Sequence, residues 1–147
     1  MNKSLQIKLK FTTLLLLSMS SLCFANADVP PSITAQGRQA FCIGTPIKIV
    51  TDFTITDPDD TTIEAFFIQI SSGYQNGLDE LRLTGSNPNI RSSGFDPVTG
   101  KIVLLSSSSG GEMLLADLEN AVKDIVFISS ATSGISEKTF SLSIDDA

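Results

Sequence analysis

The chain is 147 residues long and carries 16 acidic against 10 basic side chains, a net charge of −6, with no histidine and no tryptophan. That balance excludes a nucleic-acid or anionic-lipid surface, which needs clustered Lys and Arg. The lack of imidazole excludes His-based general bases, Ser-His and Cys-His nucleophile pairs and the usual transition-metal centres.

The first 27 residues read as a targeting segment. Lys3, Lys8 and Lys10 form a basic front, and an apolar run from Phe11 to Phe24 follows, with Leu14 to Leu17 at its centre. Ala25-Asn26-Ala27 is the small-x-small triplet that signal peptidase cuts after. Residues 1–27 are therefore expected to be a cleaved signal peptide, with the mature chain starting at Asp28. An uncleaved membrane anchor is the weaker reading, because Ser and Thr interrupt a run already short for a bilayer. A lipoprotein signal needs a small residue where Leu22 precedes Cys23. The expected destination is secreted or cell surface, with no membrane contact after cleavage.

Cleavage removes three lysines and no acid, so 120 residues with a net charge of −9 remain. This is enough chain for one domain. The acidity attracts cations, and it also serves solubility alone. Cys23 leaves with the signal, so Cys42 is alone in Phe41-Cys42-Ile43, where its apolar neighbours predict burial.

Residues 28–44, with Pro30-Pro31 and Gly37, read as an extended leader holding at most a short edge strand around Ile33. A β pattern starts near Pro46. Ile47, Ile49 and Val50 are apolar, and Phe53 and Ile55 alternate with Thr54 and Thr56 until Asp57-Pro58-Asp59-Asp60 breaks the run. Ile63 to Ile70 is the strongest strand, with Phe66, Ile68 and Ile70 on one face. Phe67 is bulky enough to predict partial cover for the other face.

Gly73 to Gly77 reads as a loop, Leu81 to Leu83 as a short strand, and residues 90–105 as a hairpin. The hairpin turns at Asp96-Pro97-Val98-Thr99-Gly100, where proline sets φ and glycine accepts a positive one. Ser109 and Glu112 have capping-box spacing, and Leu114, Leu115, Leu118, Ala121 and Val122 then fall on one helical face. Ile125 and Phe127 alternate in a further strand, Ser129 to Ser136 reads as a turn, and Phe140, Leu142 and Ile144 make the last strand. The expected core includes Phe66, Ile68, Leu104, Leu118, Phe127 and Leu142. Seven or eight short strands with regular turns and one short helix predict an all-β, antiparallel Greek-key sandwich over 45–147.

Chemistry-bearing groups are few. Three carboxylates in Asp57-Pro58-Asp59-Asp60 repel one another, and a hard cation relieves that repulsion through oxygen ligands. The spacing is not that of an EF-hand, since Thr62 and Ile68 stand where glycine and glutamate are needed. Asp145 and Asp146 form a second acidic pair after the last strand, and Asp79-Glu80 a third, read in a loop. Turn capping accounts for such acids equally well. No pair of carboxylates is set at a fixed spacing across a cleft, as a glycosidase needs. Ser106 to Gly111 lacks the Lys-Ser/Thr pair of a phosphate loop. Tyr74 is either a ligand contact or a packing peg. The expectation is therefore a protein that is not an enzyme.

Five segments in order carry a family resemblance. Phe53 to Asp60, with its acidic "D-x-D" after a strand, resembles the opening of the cadherin-like repeats of bacterial surface proteins. Gly77-Leu78-Asp79-Glu80-Leu81-Arg82-Leu83 is similar to their "G-x-D-x-L-x-L" segment. Phe95 to Leu104 is similar to their Thr-Gly hairpin, Leu118 to Phe127 to their helix-to-strand step, and Phe140 to Asp146 to their closing strand. The resemblance implies an immunoglobulin-like sandwich of the cadherin kind, in an adhesin-type protein with neighbouring domains on the same polypeptide. It also implies calcium, with Asp57, Asp59, Asp60, Asp145 and Asp146 as candidate ligands, although Asp145 and Asp146 are adjacent where cadherin junctions place asparagine between two aspartates. The chain is accordingly expected to be one module of a longer protein, serving as spacer or binding unit. An alternative is direct recognition of a glycan or a protein through Ser72 to Gly77 and Ser106 to Gly111, and a more distant one is an exported hydrolase fragment.

Overall fold

The computed structural model describes residues 28–133 and 137–145. The signal peptide read at 1–27, part of the small-residue turn and the candidate ligand Asp146 lie outside the described residues. Eleven strands and one helix follow in the described chain: β1 (Ser32–Gln36), β2 (Ile47–Lys48), β3 (Asp52–Thr56), β4 (Thr62–Ile63), β5 (Ala65–Ser72), β6 (Asp79–Leu83), β7 (Ile90–Asp96), β8 (Lys101–Ser106), β9 (Met113–Leu114), α1 (Leu115–Lys123), β10 (Ile125–Ser129) and β11 (Thr139–Asp145). The fold is all-β with one short helix, and every strand pairing is antiparallel.

Four sheets carry the strands, in the orders β1-β3, β2-β10-β6, β11-β5-β8-β7 and β4-β9. The run from β2 to β3 ties two of them together. Its first half pairs with β10, and its second half pairs with β1 in the register Ser32↔Thr56 to Gln36↔Asp52. Part of the stretch read as a leader thus completes a sheet. Further along it, Phe41 meets Phe127 edge-to-face at 5.3 Å.

Period-two alternation sets the core, as the sequence predicts. Phe53 and Ile55 of β3, and Phe66, Ile68 and Ile70 of β5, point inward, and Phe53 meets Phe66 at 5.6 Å. Leu81, Leu104, Leu118 and Phe127 join them in one cluster. Burying one such large side chain contributes about 1.5–3 kcal/mol. Five of the six expected core residues are buried. Leu142 is only half-buried, because β11 lies at a sheet edge among the described strands. On the opposite face of β5, Lys101 Nζ sits 5.4 Å from the Phe67 ring centroid, which supplies the predicted cover.

The helix begins later than its capping-box spacing predicts. Glu112 accepts a hydrogen bond from Thr62 Oγ1 instead of turning back on Ser109. Residues 113–114 pair with β4 as β9, and Leu114 is 52 % exposed. The helix therefore starts at Leu115 without a side-chain cap, and its buried stripe is Leu118, Ala121 and Val122. Gly110 and Gly111 raise the cost of an earlier start, and the pairing of β9 with β4 offers the backbone an alternative partner.

A candidate cation site and a buried ion pair

The acidic loop 57–60 follows β3 and is organised by its own side chains. Asp57 Oδ1 accepts hydrogen bonds from the backbone N–H groups of Asp59 at 3.3 Å and Asp60 at 3.2 Å. Asp59 Oδ2 accepts from the backbone N–H of Val29 at 3.1 Å, which ties the start of the described chain to this loop. Asp57 Oδ2 is shielded from solvent and has no hydrogen-bond partner among the described residues. The carboxyl of Asp60 is pushed above its ordinary range by loss of hydration, then by the negative field of Asp57, Asp59, Asp28 and Glu112. The loop thus gathers like charges that sequence spacing alone does not connect, since Asp28 and Glu112 lie far away along the chain.

Asp145 ends β11 opposite Ala65, at the end of the molecule where β5 begins. Among the described residues, no group of three or more acidic or cysteine side chains stands in a ready metal-binding arrangement. The oxygens nearest to such a role are those of Asp57, Asp59 and Asp60, and two of these carboxylates already accept backbone N–H groups.

The third acidic pair differs from its reading as a loop. Asp79 and Glu80 open β6, and the period-two pattern that points Leu81 inward points Asp79 inward as well. Lys138, just before β11, reaches it: Nζ donates to Asp79 Oδ2 at 2.6 Å, to the Gly73 carbonyl at 2.6 Å and to Gln75 Oε1 at 3.1 Å. The Lys138 and Asp79 side chains are 2 % and 0 % exposed. Asp79 Oδ2 also accepts the Gln75 N–H at 2.8 Å, while Asp79 Oδ1 is buried without a partner among the described residues. Glu80 lies outward, where its hydrogen bonds with Arg82 at 2.6 and 2.7 Å hold its carboxyl below the ordinary range. The signal for the buried pair is present in the sequence: Asp79 sits on the same face as Leu81.

The loop 73–77 turns its polar groups inward to Lys138, and Tyr74 serves as a packing peg. Its ring meets Phe95 at 6.1 Å and lies over Gly100, whose φ of +68° closes the hairpin turn. Its hydroxyl donates to the Pro97 carbonyl at 2.6 Å. Asp96 steadies the same turn by accepting from Thr99 Oγ1 and the Val98 N–H, which lower its carboxyl below the ordinary range.

Cys42 is exposed, contrary to the burial its neighbours predict: Phe41 turns onto Phe127 and leaves the thiol outside. A groove of about 390 Å³ opens beside this segment, lined in part by Phe41, Ile47, Phe127 and Phe140. A contiguous one of about 400 Å³ follows between residues 35–38 and β11. No helix among the described residues is long and apolar enough to cross a membrane. Comparison of the chain with protein-family models, with curated proteins and with solved structures gives no match.

Proposed function

We propose that the chain is a non-enzymatic module of a secreted or cell-surface protein of adhesin type, built as an immunoglobulin-like sandwich of the cadherin kind. The observation that carries this reading is the strand order. Immunoglobulin-type sandwiches place strands A, B, E and D in one sheet and C, F and G in the other. With β1 as A, the β2–β3 run as B, β5 as C, β6 as D, β10 as E and β11 as F, the pairings β1-β3, β2-β10-β6 and β11-β5 follow that order. The β7–β8 hairpin then widens the second sheet on the far side of β5. The basic and apolar run at 3–24, ending in Ala25-Asn26-Ala27, supports export.

Calcium is the cation this module holds in the proposal, at Asp57, Asp59 and Asp60. The shielded, unpartnered Oδ2 of Asp57 and the crowded negative field at Asp60 support it. Asp145 and Asp146 are the further candidate ligands, which the resemblance assigns to a junction with a neighbouring domain. The partners are adjoining domains of the same polypeptide and, through them, a surface glycan or protein.

Export is the first thing to test. Expression of the whole chain in a bacterial host, followed by fractionation and N-terminal sequencing, should recover a protein beginning at Asp28 outside the cytoplasm. Recovery of uncut chain in the cytoplasm alone overturns the proposal.

A further inference from the structure

Seven basic side chains follow residue 27, and six of them are engaged. Lys48 reaches Asp124 at 3.2 Å, Arg82 reaches Glu80 at 2.6 Å and Lys138 reaches Asp79 at 2.6 Å. Arg91 Nε donates to the Ser106 carbonyl at 3.0 Å, and Lys101 lies over the Phe67 ring. Lys123 stands in the last turn of α1, where a cation suits the helix dipole. The exposed guanidinium of Arg38 has neither an ion pair nor a hydrogen bond among the described residues.

The backbone fixes Arg38 from both sides. Before it, the Gln36 carbonyl accepts from the Thr51 N–H at 2.7 Å and from Thr51 Oγ1 at 3.1 Å. Gly37 lies so close to the Ile49–Val50 backbone that a Cβ there would stand 2.5 Å from the Ile49 carbonyl oxygen. After it, Gln39 Nε2 donates to the Lys48 carbonyl at 2.7 Å. Arg38 is thus held where the two contiguous grooves meet, and it lines both. On one side of this junction the groove of about 390 Å³ is walled by Phe41, Ile47, Ile49, Phe127 and Phe140. Small-molecule sites have this size and this make-up, with a few polar groups at an apolar wall to orient the ligand.

Charge is unevenly placed around the junction. The two grooves take three of the seven basic side chains but only one of the 16 acids, Glu137. In an acidic chain this makes the groove the place for an anion. Lys138 is committed to its three acceptors, but the Lys48–Asp124 pair is largely exposed and holds Lys48 weakly. The Phe41 and Phe140 rings stand at 89° and 66° to Phe127, so neither leaves a parallel slot against it for a flat aromatic plate. A flexible alkyl tail adapts to such walls.

We infer that the groove binds a soluble amphiphilic carboxylate. Its alkyl tail lies among Phe41, Ile47 and Phe140, and its carboxylate pairs with Arg38, whose planar fork accommodates two parallel hydrogen bonds. Lys48 adds to the attraction, and Glu137 opposes it. An anionic bilayer is the poorer source of such a group, because the net charge of −9 after residue 27 is repelled by it.

Titration of decanoate into the isotope-labelled 147-residue chain, below the micelle-forming concentration and followed by NMR, tests this. Saturable shifts should be confined to residues 37–41, 47–49, 127 and 137–140, while Val50 and Leu142, which line only the second groove, stay unmoved. Affinity should rise about ten-fold from octanoate to decanoate, as two more methylenes leave water. Decanol should bind at least about ten-fold more weakly than decanoate, and Arg38→Gln should erase that difference without changing decanol binding. Glu137→Gln should tighten decanoate binding. Both side chains are exposed, and an unchanged spectrum away from the groove verifies that each variant folds. Equal binding of decanoate and decanol, no effect of Arg38→Gln, or shifts outside the groove overturn the inference. Shifts produced by phosphatidylglycerol vesicles but not by decanoate assign the groove to a membrane surface and overturn it as well.

Discussion

Asp79 is buried with Lys138 Nζ 2.6 Å away, whereas Asp57, Asp59 and Asp60 share a loop whose donors are backbone N–H groups. The difference lies in how each carboxylate is compensated. A charge removed from water needs a cation and several hydrogen bonds, or its desolvation cost stands uncompensated. Lys138 meets that need with three acceptors around its ammonium group. A carboxylate left at the surface keeps most of its hydration, so crowding several of them costs little until hydration is partly lost and their fields overlap, as happens at Asp60. The first arrangement supplies an internal cation to Asp79 Oδ2 and leaves only Oδ1 without a partner among the described residues, whereas the second has backbone donors alone.

The largest expected effect comes from breaking the internal pair. Lys138→Met leaves Asp79 buried without its cation and should cost about 3–5 kcal/mol, a large share of the roughly 5–15 kcal/mol available to a domain. Denaturant unfolding measures it. The double variant Lys138→Met with Asp79→Leu should recover most of that loss, because a well-packed apolar pair replaces a buried ion pair at little cost. Recovery will be incomplete, since the Gln75 N–H loses its acceptor. If Lys138→Met changes stability by less than about 1 kcal/mol, the pair is hydrated and the contrast between the two acidic regions collapses.

An intermediate effect is expected from calcium at the open site. With a Kd on the order of 10⁻⁴ M, as for extracellular calcium modules, about 1 mM calcium should add roughly 1.4 kcal/mol. Asp59→Asn should remove most of that gain while the fold persists. Ionic strength has to be matched with sodium, because any salt screens the excess negative charge. Equal stabilisation by both ions would make the loop a solvated turn and nothing more.

Much of the fold is legible in the sequence because period-two alternation survives in β3, β5 and β8, where one face meets the core. The turn at 96–100 is legible for a local reason: proline, aspartate and glycine each act on their own backbone. Sequence and structure part where a distant partner decides. The Ser109–Glu112 spacing is a valid local cap, but Thr62, fifty residues back, takes Glu112. Cys42 has apolar neighbours in sequence, yet Phe41 alone turns to the core. The acidic loop is visible as three nearby aspartates, whereas Asp28 and Glu112 join their field only through folding. Asp79 escapes a local reading because a charged residue beside a glycine-bounded segment suggests a loop, although on an inward face it demands a buried cation.

The smallest expected effect, and the sharpest on the open site, is the pH dependence carried by Asp60. Its carboxyl titrates above the unfolded value of 3.8, owing to lost hydration and to the charges of Asp57, Asp59, Asp28 and Glu112. A raised folded pKa means that the native state binds the proton more readily than the unfolded chain. The ionised group therefore opposes folding at neutral pH, and this opposition fades as pH falls through the folded pKa toward the unfolded one. In metal-free, low-salt buffer, Asp60→Asn should thus melt slightly above the parent at about pH 7, and the two should converge near roughly pH 3.5. Added salt should shrink the difference at neutral pH, because Asp60 is exposed and its neighbours are screened. Calcium should reverse the order, since it stabilises the parent through a charged ligand that the Asp60→Asn variant lacks. An unchanged order in calcium would leave the repulsion real but remove Asp60 from the cation site.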